Sequence, residues 1–423
     1  MVNARLVAVK ALVKINRDAA YSNITLDNFF AEYGLDSKDK ALATALVYGV
    51  LDRKITIDYV IGKFSKIPLR KISPLTLEAI RIGIYQLLFL ERIPESAAVN
   101  ESVNIVKRSK EGRNAGFVNA ILRNAIRNPI ALPLGDGTSE LSVRFSCPQS
   151  IIDSFKRDYG IDNAIRLLEA SLVAPDVIIR VNSLKTTADE LLKMLESLGV
   201  SAEKTDFENS LKINGGIDIK NNELYKNGYF YVQDLASQIA VSKLAAKAGE
   251  RVLDICAAPG GKSFFMALSM ENKGEIVSTD LYEHKVRLIG SGAKRLGLSI
   301  IKPQVADAAS KNPDMSSFDA VLCDVPCSGW GVLRRKPEIK YKEIKDFCEI
   351  EGIQKSILNN AAKYLKSGGR ILYSTCTLRC AENEGRVEEF LKENPDFSLG
   401  FQHTFMPHID NTDGFFCALL YKK

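Results

Sequence analysis

"DICAAPGGKS", residues 254–263, closes the β-rich run "RVLDIC" and opens a helical stretch, so a strand, a glycine-rich turn and a helix follow one another. The turn misses the phosphate-cradling pattern G-x-x-x-x-G-K-[ST] by one residue. Gly261, Lys262 and Ser263 fit it, but Cys256 stands where the first glycine belongs. Two ligands are open to such a turn. As a phosphate loop, Lys262 would meet the terminal phosphates and Asp324, after the apolar "AVLC", would hold Mg²⁺. Cys256 speaks against this, because the tight phosphate nest needs the permissive backbone of glycine. The other ligand is a nucleoside-bearing cofactor without a phosphate chain. The next strand should then end in an acid that accepts the ribose hydroxyls. Asp280, ending "EIVSTD", lies 26 residues after Asp254 and suits that role. Asp307 in "VADA" would end the following strand and reach the adenine edge. Acids at three successive strand ends would repel a triphosphate. They suit a cationic sulfonium with an amino-acid tail, S-adenosylmethionine.

Outward from this turn, "RVLDIC", "EIVSTD", "FDAVLCDVP" and "GGRILYSTC" are short β-rich runs separated by helical stretches. That alternation predicts a doubly wound, mostly parallel sheet with its ligand at the carboxyl ends of the strands. Two further loops arrive at the same rim, "DVPCSGWGVLRRKPEIKY" (324–341) and "YSTCTLRCAENEG" (373–385). Each carries a cysteine, Cys327 and Cys376. A single cysteine is ordinarily a small buried hydrophobe. Two in one crevice fit methyl transfer to carbon 5 of a pyrimidine. That carbon is a poor nucleophile until a thiolate adds to carbon 6. The carbon-5 proton must then leave and the thiol be expelled. An unshifted cysteine is only slightly ionised at neutrality, so the loop must lower its pKa or supply a base. An acid is also wanted at the base's N3/N4 edge, and Asp324 is the local candidate.

The 423 residues exceed one ordinary core and predict two or three domains. Residues 4–128 read as helices throughout; "SPLTLEAIRIGIYQLLFL" has Ser73 as N-cap and Pro74 at the first helical position. "NPIALPLGDGTSE" (128–140) reads as an exit linker. Residues 141–240 combine strands "DVIIRVNSLK" and "GYFYVQD" with a helix that opens on a Thr187–Glu190 capping box and stops at Gly199. This is a small α+β module offering a sheet face to RNA. The net charge of +6 is unevenly placed: residues 1–130 hold 20 basic against 12 acidic residues. A basic module on a near-neutral body fits a polyanionic partner or a solvated helical surface. Eight cysteines include no C-x-x-C pair, which argues against zinc. No apolar run approaches the ~18 residues that span a bilayer, and no signal peptide is present, so a cytoplasmic protein is expected.

"AAVNESVNIVK" with "GFVNAILRNAIR" resembles the NusB family of helical RNA-binding domains. "DICAAPGGKS", "DLYEHKVRLI", "DVPCSGWGVLRRKPEIKY", "YSTCTLRCAENE" and "DGFFCALL" resemble the RNA cytosine-5 methyltransferases of the RsmB/Sun family, which joins both domains in one chain. With "IIRVNSLK" and "YFYVQDLASQ", that likeness covers nearly everything after residue 141. The resemblance implies an all-α NusB-like domain (1–135), a small α+β, RRM-like module (141–238) and an α/β Rossmann-like class I methyltransferase domain (239–423). It implies a single target cytosine in 16S rRNA, cytosine 967 in the family, modified with S-adenosylmethionine as donor. It makes Cys376 the covalent nucleophile and Cys327 the residue assisting product release. Cys256, Ala257, Ala258, Pro259, Gly260, Gly261 and Lys262 would wrap the cofactor. Asp280 would lie at the ribose, Asp307 near the adenine, and Asp324 between cofactor and target base. Thr377 replaces the serine usual in the family and keeps the hydroxyl. Arg334, Arg335 and Lys336 would grip RNA phosphates beside the cysteine loop, and Trp330 would stack on a base. Arg180 and Asn182 are further RNA contacts expected on the module. The expected working form is a monomer on naked or early-assembly 16S rRNA, without metal or membrane. A P-loop-like NTPase and a catalytically idle RNA-binding assembly factor are the rival readings.

Overall fold

Apolar residues at helical spacing build Ala4–Asp18, Ser22–Tyr33, Ser37–Asp52, Lys54–Phe64, Pro74–Phe89, Glu95–Lys107 and Ala115–Arg127. In this computed structural model residues 3–312, 315, 317–342 and 347–423 are described. Pro74–Phe89 carries the densest apolar content, and Ala79, Ile80, Ile82 and Ile84 are wholly buried. Ser73 occupies its N-cap position, but its hydroxyl turns to the carboxylate of Glu111. Glu111 Oε2 in turn accepts the orphan N–H of Thr76 at 3.0 Å, so the cap is supplied from elsewhere in the chain.

The chain separates into two units, Met1–Val173 with Leu333–Glu343, and Ala174–Val332 with Ile344–Lys423. Helices Thr138–Phe145 and Gln149–Ala170, the latter broken at Gly160 (φ 79°), lie in the first unit, which runs on past the Pro/Gly-rich 128–140 to Val173. The first unit also takes in a distant segment, whose turn Pro337–Tyr341 packs on helix Ser37–Asp52. There Lys340 Nζ donates to Asp52 Oδ1 at 2.7 Å from a side chain sealed from solvent.

The second unit begins with strands β1 (Val177–Val181), β2 (Ser201–Lys204), β3 (Ser210–Asn214) and β4 (Phe230–Val232), an antiparallel sheet in the order β2-β3-β1-β4. The expected helix lies at Ala188–Ser197 and opens on both halves of its capping box. Thr187 Oγ1 accepts from Glu190 N at 3.3 Å, and Glu190 Oε2 accepts from Thr187 N at 2.9 Å. Strands β2 and β3 add the two pairings that the β-α-β reading did not contain.

The large sheet comprises β5 (Arg251–Asp254), β6 (Glu275–Asp280), β7 (Ile301–Val305), β8 (Phe318–Asp324), β9 (Leu365–Thr375), β10 (Phe397–Phe405) and β11 (Phe415–Lys422). Its order is β10-β11-β9-β8-β5-β6-β7, with β5 to β9 parallel and β11 antiparallel to both neighbours. The chain winds one way from β5 through β7 and the other way from β8 to β9. Between β5 and β8 the order reverses, and a ligand crevice forms beyond the carboxyl ends at such a point. The doubly wound expectation holds, with the closing antiparallel hairpin as an addition. Among the described residues no helix is long and apolar enough to cross a membrane.

Candidate active site

Strand β5 ends at Asp254, and the glycine-rich turn runs from there to the helix Gly261–Ser269. Gly260 turns the chain at φ 113°, where a β-carbon would also lie 2.5 Å from the Phe264 ring. Asp254 is fully buried. Its Oδ2 accepts from Ser263 Oγ at 2.6 Å, while its Oδ1 has no hydrogen-bond partner. Burial pushes the carboxyl up to about 7, against the opposing bond from Ser263. The turn, Asp254, Lys262, Asp324 and Gln233 border a cavity of 160 Å³. Gln233 Oε1 is a second buried acceptor without a partner. Two unanswered acceptors on one cavity call for a ligand that brings donors or positive charge.

Lys262 reaches across this cavity and donates to Asp324 Oδ2 at 2.6 Å. Burial pulls its ammonium down, but the charge and hydrogen bond of Asp324 outweigh that and hold it above the ordinary lysine range. Ser374 Oγ donates to Asp324 Oδ1 at 2.9 Å, across paired positions of β8 and β9. The cation required by a phosphate loop is thus already matched by a carboxylate. Together with Cys256 at the nest position, this removes the grounds for the NTPase reading.

Cys327 follows β8 and Cys376 follows β9, and their Sγ atoms lie 3.4 Å apart. The bond with Cys376, and then burial, push the Cys327 thiol well above its usual range, so Cys327 keeps its proton. Cys376 is close enough to Lys262 to add to the field that holds the ammonium charged. The Cys376 carbonyl accepts from Gly331 N at 3.0 Å, and the Gly331 carbonyl accepts from Gly414 N at 2.9 Å. The remaining acids sit farther along the sheet. Asp280 ends β6, where Oδ1 accepts from Tyr282 N at 3.3 Å and pairs with Lys285 at 3.5 Å. Asp307 lies beyond β7 and caps its own loop through Ala309 N at 3.0 Å and Ser310 Oγ at 2.6 Å.

Three expected RNA contacts are corrected by their burial. Trp330 is 5% exposed and packs edge-on against Phe347, with ring centroids 5.4 Å apart. The Arg180 guanidinium lies over Phe265 at 4.5 Å and Phe207 at 5.4 Å, and donates to the Glu208 carbonyl. Asn182 is wholly buried and donates to the carbonyls of Gly228 at 2.8 Å and Leu296 at 2.9 Å. Trp330 thus packs inside the sheet-bearing domain, while Arg180 and Asn182 tie the module to Phe265 and Leu296 of that domain. Arg334, Arg335 and Lys336 belong to the segment that folds with the helical unit, and of them Lys336 is exposed. Asp254 was legible as the first of the three strand-end acids, though no role was assigned to it; Gln233 and Ser374, single polar residues inside strand text, carried no signal.

Comparison with known proteins agrees with the fold. Residues 241–421 match the family described as 16S rRNA methyltransferase RsmB/F, residues 2–127 the NusB family, and residues 147–220 an RsmF/B-like, ferredoxin-like domain. A probable ribosomal RNA small subunit methyltransferase B of Bacillus subtilis is 36% identical, over 100% of this chain and 99% of its own. A Synechocystis protein of the same description is 30% identical over 100% of both chains. The crystal structure of PH0851 superposes with a TM-score of 0.85 at 26% identity, covering 100% of this chain and 99% of that one. The structure of NSun6 from Pyrococcus horikoshii with SFG, at 23% identity and a TM-score of 0.60, covers 65% of this chain and 98% of its own and attests the fold alone.

Proposed function

The chain belongs to the RsmB/F family of 16S rRNA methyltransferases, and we propose that it methylates carbon 5 of one cytosine, with Cys376 as the covalent nucleophile. The methyl donor of this family is S-adenosylmethionine, whose sulfonium supplies an activated methyl group when bound. The finer target is cytosine 967, reached in naked or early-assembly rRNA by a monomer working in the cytoplasm. The observation that carries the reading is the pair of thiols 3.4 Å apart, beside a lysine–aspartate bridge on the cofactor loop.

In this reading Cys376 adds as thiolate to carbon 6 and raises electron density at carbon 5. Once carbon 5 is methylated, a solvent water takes the carbon-5 proton, and the electron pair so released lets the ring expel the Cys376 sulfur. Cys327, kept protonated, offers an S–H donor to the departing Cys376 sulfur and so assists release. Asp324, clamped by Lys262 and Ser374, lies ready for the base's polar edge. The unpaired oxygens of Asp254 and Gln233, with residues 256–262, fit the donor-rich, cationic amino-acid end of the cofactor. Asp280 serves the ribose and Asp307 the adenine. The helical residues 1–135 and the module 141–238 hold RNA, while 239–423 performs the chemistry. Carbon 6 is reached only from an unstacked base, which costs a few kcal/mol in a duplex and less in a loop.

Bisulfite sequencing of 16S rRNA tests this directly. Cells lacking the gene should lose protection at one cytosine, wild-type protein should restore it, and Cys376→Ala should not. Full protection with Cys376→Ala would overturn the assignment.

A further inference from the structure

Glu382 lies six residues beyond Cys376, and its side chain is wholly buried. A carboxylate removed from water is costly unless polar partners engage it, so its partners reveal what it holds. Its Oε2 accepts from the backbone N–H of Ser328 and from Gln354 Nε2, each at 2.9 Å. The same Gln354 amide donates to the Pro326 carbonyl at 3.0 Å. Pro326 and Ser328 flank Cys327, so the carboxylate and the amide together grip the backbone on both sides of that thiol. A second tie runs parallel, between the hydroxyls of Ser328 and Thr377 at 2.7 Å. The grip is itself anchored. The Glu382 carbonyl accepts from Tyr373 Oη at 2.7 Å, and Arg379 approaches Oε1 at 3.6 Å while donating to Glu351 at 2.7 Å.

We propose that Glu382 is a positioning residue for methyl transfer, holding the Cys327 loop so that its thiol stays against the Cys376 sulfur while product leaves. This rests on the thiol roles proposed above. The charge of Glu382 also opposes ionisation of Cys327, after the larger effects of Cys376 and burial. Neutralising it would loosen the loop and weaken the proton's hold on the same sulfur.

The test compares wild type, Cys327→Ala and Glu382→Gln on a 16S rRNA fragment with labelled S-adenosylmethionine. It reads methyl turnover and the covalent protein–RNA adduct on a denaturing gel. Cys327→Ala should accumulate adduct. Glu382→Gln should turn over about tenfold more slowly and accumulate adduct too, at a level between the wild type and Cys327→Ala. A merely structural role would lower adduct and turnover together. Unchanged turnover without adduct, or lost turnover without adduct, overturns the proposal. Should Glu382→Gln fail to fold, Gln354→Met, which removes the partner donor and leaves the carboxylate, is read the same way: adduct supports the role and its absence overturns it. If Cys327→Ala itself gives no adduct, the thiol roles fall; if it does and the clamp variants give none, only Glu382's role falls.

Discussion

Cys327 and Cys376 are 49 positions apart in the chain and in contact at 3.4 Å in the fold. Their meeting was legible, because each follows an apolar run and a doubly wound sheet delivers successive strand ends to one rim. The interior positions of Trp330, Arg180 and Asn182 were not legible. Residue type advertises stacking or phosphate contact, whereas burial depends on neighbours such as Phe347, Phe265 and Leu296 that only folding brings near. Asp254 illustrates a residue whose environment sets its chemistry. Its folded pKa of about 7 lies above the ordinary value of 3.8. Below the lower value both folded and unfolded forms are protonated; above the higher one both are ionised and the buried charge opposes folding. Stability therefore falls as pH rises between the two. A cationic cofactor favours the ionised form, so S-adenosylmethionine affinity should rise with pH and level off above about 7. Calorimetric titration across that range should find Asp254→Asn weaker and flat. A pH-independent wild type would contradict this.

Elements were legible where a local signal sufficed. The Thr187–Glu190 box forms as the spacing predicted, because both bonds close within four residues. Ser73 keeps its position but yields the capping bond to Glu111, 38 residues away, which no local pattern encodes. The hairpin of β10 and β11 was likewise hidden, since "DGFFCALL" reads as apolar text without direction. Between elements, Gly331 shows why a loop tolerates one residue only. A β-carbon there would lie 1.9 Å from the Gly414 carbonyl oxygen and 2.8 Å from that of Cys376, both backbone atoms. Gly331→Ala must displace the strand end that carries Cys376. It should lower methylation about a hundredfold, the scale of an ångström's misplacement, with cofactor affinity retained. Parallel activity and binding assays check this; loss of both would point to a collapsed fold.

At the scale of the molecule, the division into helical and sheet-bearing parts followed from periodicity. The place of the segment Leu333–Glu343 was not legible, because it follows the Cys327 loop in the chain yet folds with the helices. Lys340 fixes it there by a buried bridge to Asp52, which is itself one-fifth exposed. Breaking such a pair from one side costs roughly 3 kcal/mol. Lys340→Met should therefore lower the melting temperature of the helical unit by several degrees, and an unchanged melting curve would contradict the assignment. The covalent bond from Cys376 to RNA is open to mass spectrometry. Cys327→Ala protein incubated with 16S rRNA and S-adenosylmethionine would be digested with protease and nuclease. One cross-linked peptide is expected, spanning Cys376 and carrying a methylated cytidine. A cross-link at any other residue, or methylated RNA from protein lacking the Cys376 thiol, would contradict it.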